Sequence, residues 1–173
     1  MTATSGSQLV YFLGRYFWLV CLAVCACNYF VASRRRPRVT PRDPATEEEA
    51  RFFLRVFTVV SFVPWLVMGL GQTVGGVPSI WHYFRPQDLN PYVLAFIASI
   101  FLISVAFAYW VFVLGGAKKV VELQLSQVMG LHGYGELTEG QVKFLAAAGP
   151  PFVALWVLLA VSMNTPIPKW IPR

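Results

Sequence analysis

The stretch Tyr92–Leu114, YVLAFIASIFLISVAFAYWVFVL, runs for twenty-three residues without one charged side chain. A helix rises about 1.5 Å per residue, so roughly 20 apolar residues cross the hydrocarbon of a bilayer. This segment reads as a transmembrane helix. Asn90 and Pro91 suit the cap and first position of that helix, Gly115-Gly116 stop it, and Lys118-Lys119 follow at once.

Upstream, Thr46-Glu47-Glu48-Glu49 matches a capping box, with Thr46 as cap and Glu49 reaching back to it. Glu47 and Arg51 stand four apart, the spacing of an ion pair on one helical face. The helix that follows should enter hydrocarbon near Val56 and span to about Val77. Pro64 removes one backbone hydrogen bond near its middle and predicts a kink. Gly71 and Gly75 then show the small-xxx-small spacing that admits a close neighbour. They are the helix-packing candidates, with the last helix as the expected partner; the competing reading is that they only end the span.

The first apolar run, Tyr16–Ala32, extends upstream to Gln8 if Arg15 is tolerated. A signal peptide carries its positive charge before the apolar core, whereas Arg34, Arg35, Arg36 and Arg38 come after it. A retained span over 8–32 is expected. Prolines at 37, 41 and 44 predict an extended connector over Ser33–Ala45.

The segment Pro78–Asn90 (PSIWHYFRPQDLN) sets Trp81, Tyr83 and Phe84 beside His82 and Arg85. Rings with one polar end favour a membrane–water boundary, so this is expected to be an interfacial belt. Ala117–Met129 mixes apolar and polar residues and is expected to form a short interfacial helix; its alternation from Val121 to Leu125 also fits a strand. Thr138-Glu139-Gly140-Gln141 is a second capping box. It opens a last span over 142–163 that must include Pro150-Pro151, because the residues after them are too few to cross alone. Three prolines predict an extended tail over 165–173.

The expected fold is therefore an all-α membrane protein: one domain over 1–173 with four transmembrane helices, at about 8–32, 56–77, 92–114 and 142–163. Composition agrees, since 57% of the residues are hydrophobic and 13% charged, against about 45–50% and about 25% in soluble domains. The net charge of +6 belongs to connectors rather than to a basic folded module, which argues against nucleic-acid binding. With the first connector inside, ten Lys and Arg fall on the cytoplasmic side and four on the other. That bias predicts both termini outside, in a plasma (inner) membrane.

Chemistry-bearing patterns are few. His82 and His132 fall at opposite faces in this threading and suggest no shared metal or haem site. Cys21, Cys25 and Cys27 lie in an apolar helix without a histidine nearby, so packing explains them best, with Cys27 a conceivable acylation site. Asn28, Ser61, Gln72, Ser99 and Ser104 are polar groups at depth, expected to bond between helices. No carboxylate falls within a span and no phosphate loop, nucleophile elbow or zinc motif occurs. No catalysis, cofactor or metal is expected. Arg34, Arg35, Arg36 and Arg38 are candidates for lipid headgroups. The expected role is a non-catalytic subunit docked within a larger membrane protein complex, touching lipids and other subunits or copies of itself. A small homo-oligomeric channel or transporter is the alternative, though neither a polar pore face nor a repeat is evident.

Overall fold

The structure, a computed structural model, describes residues 5–39, 44–128 and 137–163. All regular elements among them are helical. Helix α1 covers Ser5–Val39, α2 Pro44–Thr73, α3 Pro91–Val113, α4 Gly116–Glu122, α5 Leu125–Val128 and α6 Glu139–Met163. Four of these, α1, α2, α3 and α6, are long and apolar enough to cross a membrane.

The caps show which local readings hold. At α3, the Tyr92 amide donates to Asn90 Oδ1 at 2.9 Å, with Pro91 in the first turn. At α6 the capping box forms in both directions: the Gln141 amide donates to Thr138 Oγ1 at 3.3 Å, and the Thr138 amide to Gln141 Oε1 at 2.9 Å. At α2 it does not. That helix starts at Pro44, so Thr46 stands inside its first turn and Glu49 pairs instead with Lys119. Proline fixes φ near the helical value and lacks only an amide that the first turn leaves unpaired anyway. The expected Glu47–Arg51 pair is present at 3.2 Å.

The first connector is also shorter than expected. Helix α1 continues through Arg34, Arg35, Arg36, Pro37 and Arg38 to Val39. One proline near a helix end forfeits a single hydrogen bond, and a long helix already in progress tolerates that. Residues 40–43, 129–136 and 164–173, which include part of this connector, His132 and the proline-rich tail, lie outside the described residues.

The chain divides into two compact units, each best described alone. The first comprises Met1–Ala23, Val63–Phe101 and Val153–Arg173; the second comprises Val24–Phe62 and Leu102–Phe152. Two of the four divisions fall beside Pro64 in α2 and Pro151 in α6, where a backbone hydrogen bond is missing; the other two cut α1 and α3.

In the first unit, residues 74–90 contain two 3₁₀ turns, Ile80–Phe84 and Pro86–Asp88. Trp81 and Phe84 are exposed, but Tyr83 is not the boundary residue that the sequence suggested. It is buried in a core with Met68, Val77, Val93 and Phe96, its hydroxyl donating to the Met68 carbonyl at 2.9 Å. Burial is tolerable because that bond satisfies the one polar atom on the ring.

In the second unit, Ala117, Val120, Leu123 and Leu125 pack with Ala50, Val111, Val142 and Ala146. The segment after α3 is helical, not a strand, but it forms two short helices rather than one. Gln124, at φ 49, takes the left-handed conformation between α4 and α5 and ends the first helix.

Candidate functional site

Of the sequence-derived candidates, Arg34 and Arg35 stand in the last turns of α1. The Arg34 guanidinium lies 4.0 Å from the centroid of the Phe30 ring, one turn back on the same face. That stacking spreads the cation along the helix surface and leaves Arg34 exposed. Arg36 and Arg38 have helical backbone in the same segment.

Gly71 and Gly75 lie against tyrosines. A Cβ on Gly71 would collide with the Tyr83 hydroxyl and Tyr92 Cβ, and one on Gly75 with the Tyr92 ring. The neighbours are therefore the 74–90 segment and the start of α3, where α6 was the expected partner. Gly69 receives the Trp18 ring of α1 in the same manner, 2.6 Å from an ideal Cβ. Rings rather than backbones fill these gaps. Sequence spacing marks where close approach is possible, not which element makes it.

His82 sits in the first 3₁₀ turn. Its Nδ1 lies 3.2 Å from Ser79 Oγ and 3.3 Å from the Ser79 carbonyl. With Asp88 and Asn90 it borders a recess of about 250 Å³. Burial lowers the His82 pKa below its ordinary value; the Ser79 carbonyl and the Asp88 carboxylate act against that shift, and Arg85 adds to it. Burial likewise pushes the Tyr83 phenol upward, so it remains a hydrogen-bond donor. Arg85 pairs with Asp88 at 3.1 Å, and Arg15 of α1 donates to the Pro78 carbonyl at 3.3 Å.

Two of the polar residues at depth bond within their own helix. Ser61 donates to the Thr58 carbonyl and Ser99 to the Phe96 carbonyl, each at 2.7 Å. Two side chains do bridge helices. Gln72 Nε2 donates to the Gly14 carbonyl at 3.3 Å, and the Cys25 thiol to the Ser61 carbonyl at 3.7 Å, one turn before Pro64. Among the described residues, no three His, Cys, Asp or Glu gather as a metal site would require.

A second concave feature was not evident from the sequence. The second unit holds a cavity of about 810 Å³, within the about 300–1,000 Å³ usual for ligand sites. Helix α1 contributes Cys25, Asn28 and Tyr29 to it, α2 contributes Phe53, Phe57 and Ser61, and α3 contributes Leu102, Phe107 and Trp110. Val120, Leu125 and Ser126 from α4 and α5 complete the lining with Val142 and Leu145 of α6. Not one lining residue is charged. Phe53, Phe57, Phe107 and Trp110 form a continuous aromatic wall, with centroids 5.2 Å apart for Phe53–Trp110 and 5.6 Å for Phe57–Trp110. Leu102 and Leu145 are more than half exposed, so the cavity opens to the surroundings at the side.

Sequence comparison finds no family model that matches the chain, and neither a curated protein nor a solved structure similar to it.

Proposed function

We propose that this chain is a non-catalytic integral membrane subunit that docks within a larger membrane protein complex. The observation that carries this reading is the exposure of α1. Only 6% of its apolar span is buried within the chain, against 17% for α2, 11% for α3 and 17% for α6. A helix that gives its own bundle so little leaves most of its length to lipid or to another subunit. Helix α6 adds Ala147, Ala148 and Ala154 as exposed small residues, which favour a neighbouring helix over lipid tails.

In this reading the protein lies in the plasma (inner) membrane, with both termini on the non-cytoplasmic side. The ten-to-four distribution of basic residues supports that orientation. Arg34, Arg35, Arg36 and Arg38 then meet anionic headgroups at the cytoplasmic surface. The α4–α5 pair lies at the same boundary as the interfacial element: Lys118 and Glu122 are exposed, while Ala117, Val120 and Leu123 face inward.

The test is extraction from native membrane in mild detergent, followed by native mass measurement and identification of co-migrating chains. Stoichiometric partner chains are expected. A homogeneous homo-oligomer that conducts ions or moves a solute in liposomes overturns the subunit reading in favour of a channel or transporter. A reporter fused after Arg173 should be active only on the non-cytoplasmic side; activity only in the cytoplasm overturns the orientation.

A further inference from the structure

We infer that the cavity of the second unit is a binding site for a neutral lipid: a long hydrocarbon carrying one hydroxyl or carbonyl oxygen. The inference does not depend on the docking role.

Three features of the cavity point to that ligand. The first is a polar group on the cavity wall. Ser126 is 7% exposed as a residue, lines the cavity and makes no hydrogen bond among the described residues. Its hydroxyl is open to the cavity, and where hydrocarbon fills that space an unpartnered hydroxyl is unfavourable until a ligand oxygen meets it. Asn28 opens onto the same cavity from α1, also without a bond among the described residues. Hydroxyl and amide each donate and accept, so together they match a hydroxyl or a carbonyl.

The second feature is the absence of charge from the lining. A carboxylate or phosphate brought into this cavity would lose its hydration with no cation in the lining to replace it, since Lys119, over the Phe53 ring, is already paired with Glu49. An anionic headgroup is disfavoured there, and a neutral one is not.

The third feature is the fit of the apolar part. The aromatic wall of Phe53, Phe57, Phe107 and Trp110 offers polarisable surface, and exposed Leu102 and Leu145 mark a lateral opening. Both leucines belong to apolar spans, so the opening meets hydrocarbon and a lipid tail can enter sideways. The ligand source is then the bilayer itself or a hydrophobic metabolite dissolved in it; the shared chemistry is the same.

The experiment titrates the purified full-length chain in mild detergent with three probes of one tail length: hexadecanol, hexadecane and hexadecanoate. Native mass spectrometry counts bound molecules, and Trp fluorescence reports affinity. Hexadecanol should bind one per chain, and roughly tenfold tighter than hexadecane, the worth of about one hydrogen bond in a dry site. Hexadecanoate at alkaline pH should bind no better than hexadecane. Ser126→Ala and Asn28→Leu should each bring hexadecanol toward the hexadecane value, with unfolding temperatures near the parent's showing that the fold is intact. Equal binding of all three probes, a parent-like affinity in both variants, or preference for the anion would overturn the proposal. If one variant fails to fold, the other variant and the comparison of probes on the parent still decide the question.

Discussion

The 74–90 segment and the α4–α5 pair each follow a long helix and each belong to one unit, yet they fill their units in opposite ways. In the first unit the connector sends Tyr83 into the core, and glycines at 71 and 75 make room for Tyr83 and Tyr92. In the second unit the aromatics gather on one wall, and α4 and α5 leave a cavity of about 810 Å³. Both units are rich in rings. The second unit also seats a ring on a glycine, Trp110 on Gly116. What separates the units is that Phe53, Phe57 and Phe107 stack on one another and leave a void beside them, whereas in the first unit rings close the gaps at Gly69, Gly71 and Gly75.

The comparison breaks most visibly at Gly75. Gly75→Leu places a branched side chain where the Tyr92 ring lies, and overpacking of this kind costs about 1–3 kcal/mol or more. Gly71→Leu should behave similarly. Thermal unfolding in detergent should show a large drop for each. A Tyr92→Ala change in the Gly75→Leu background should return part of it, since the two changes share one space. Parent-like unfolding of both leucine variants would mean that the first unit is not tightly filled.

A smaller loss tests the hydroxyl rather than the volume. Tyr83→Phe keeps the ring packed on Phe96, with centroids 5.1 Å apart, and removes only the bond to the Met68 carbonyl. About 1 kcal/mol is expected, read as a shifted denaturation midpoint. No shift would mean that the buried phenol contributes through packing alone.

Much of this arrangement was legible in the sequence, for identifiable reasons. Uncharged length marked the four long helices, and side-chain caps marked the starts of α3 and α6, because both signals depend on neighbouring residues only. The start of α2 misled because two valid signals compete there, proline at 44 and the box at Thr46, and Glu49 has a remote partner in Lys119. The connector prolines mislead because a single proline at 37 does not stop the long helix that precedes it. The inward turn of Tyr83 and the cavity were not legible at all. Both depend on which side chains meet across elements, and no periodicity carries that information. Asn28 and Ser61 did stand out as polar residues at depth, but their sharing of one cavity with Ser126 is a fact of the fold.

The second unit should respond far less to added volume. Ala106 lines the cavity and is exposed. Ala106→Leu should therefore shift stability by no more than about 0.5 kcal/mol, as at an open surface. The contrast with Gly75→Leu in the same unfolding assay sharpens the difference between the units. A loss as large as that of Gly75→Leu would show the cavity to be closed to added atoms.

The smallest effect expected is a dependence on pH in the first unit. Burial holds the His82 pKa below its ordinary value of 6.5. The unfolded chain therefore binds a proton more readily than the folded one. Stability contributed by neutral His82 is complete above 6.5 and declines as pH falls from there toward the lower folded value. Asp88 faces the ring and softens the decline by favouring the imidazolium, while Arg85 opposes it. His82 is only partly buried, so solvent screening keeps the change slight. His82→Gln, which stays neutral, should flatten that part of the stability–pH curve without altering the plateau at higher pH by a comparable amount. A parent chain that grows more stable as pH falls through this window would show instead that Asp88 governs the histidine, and that the recess beside it is less dry than its burial indicates.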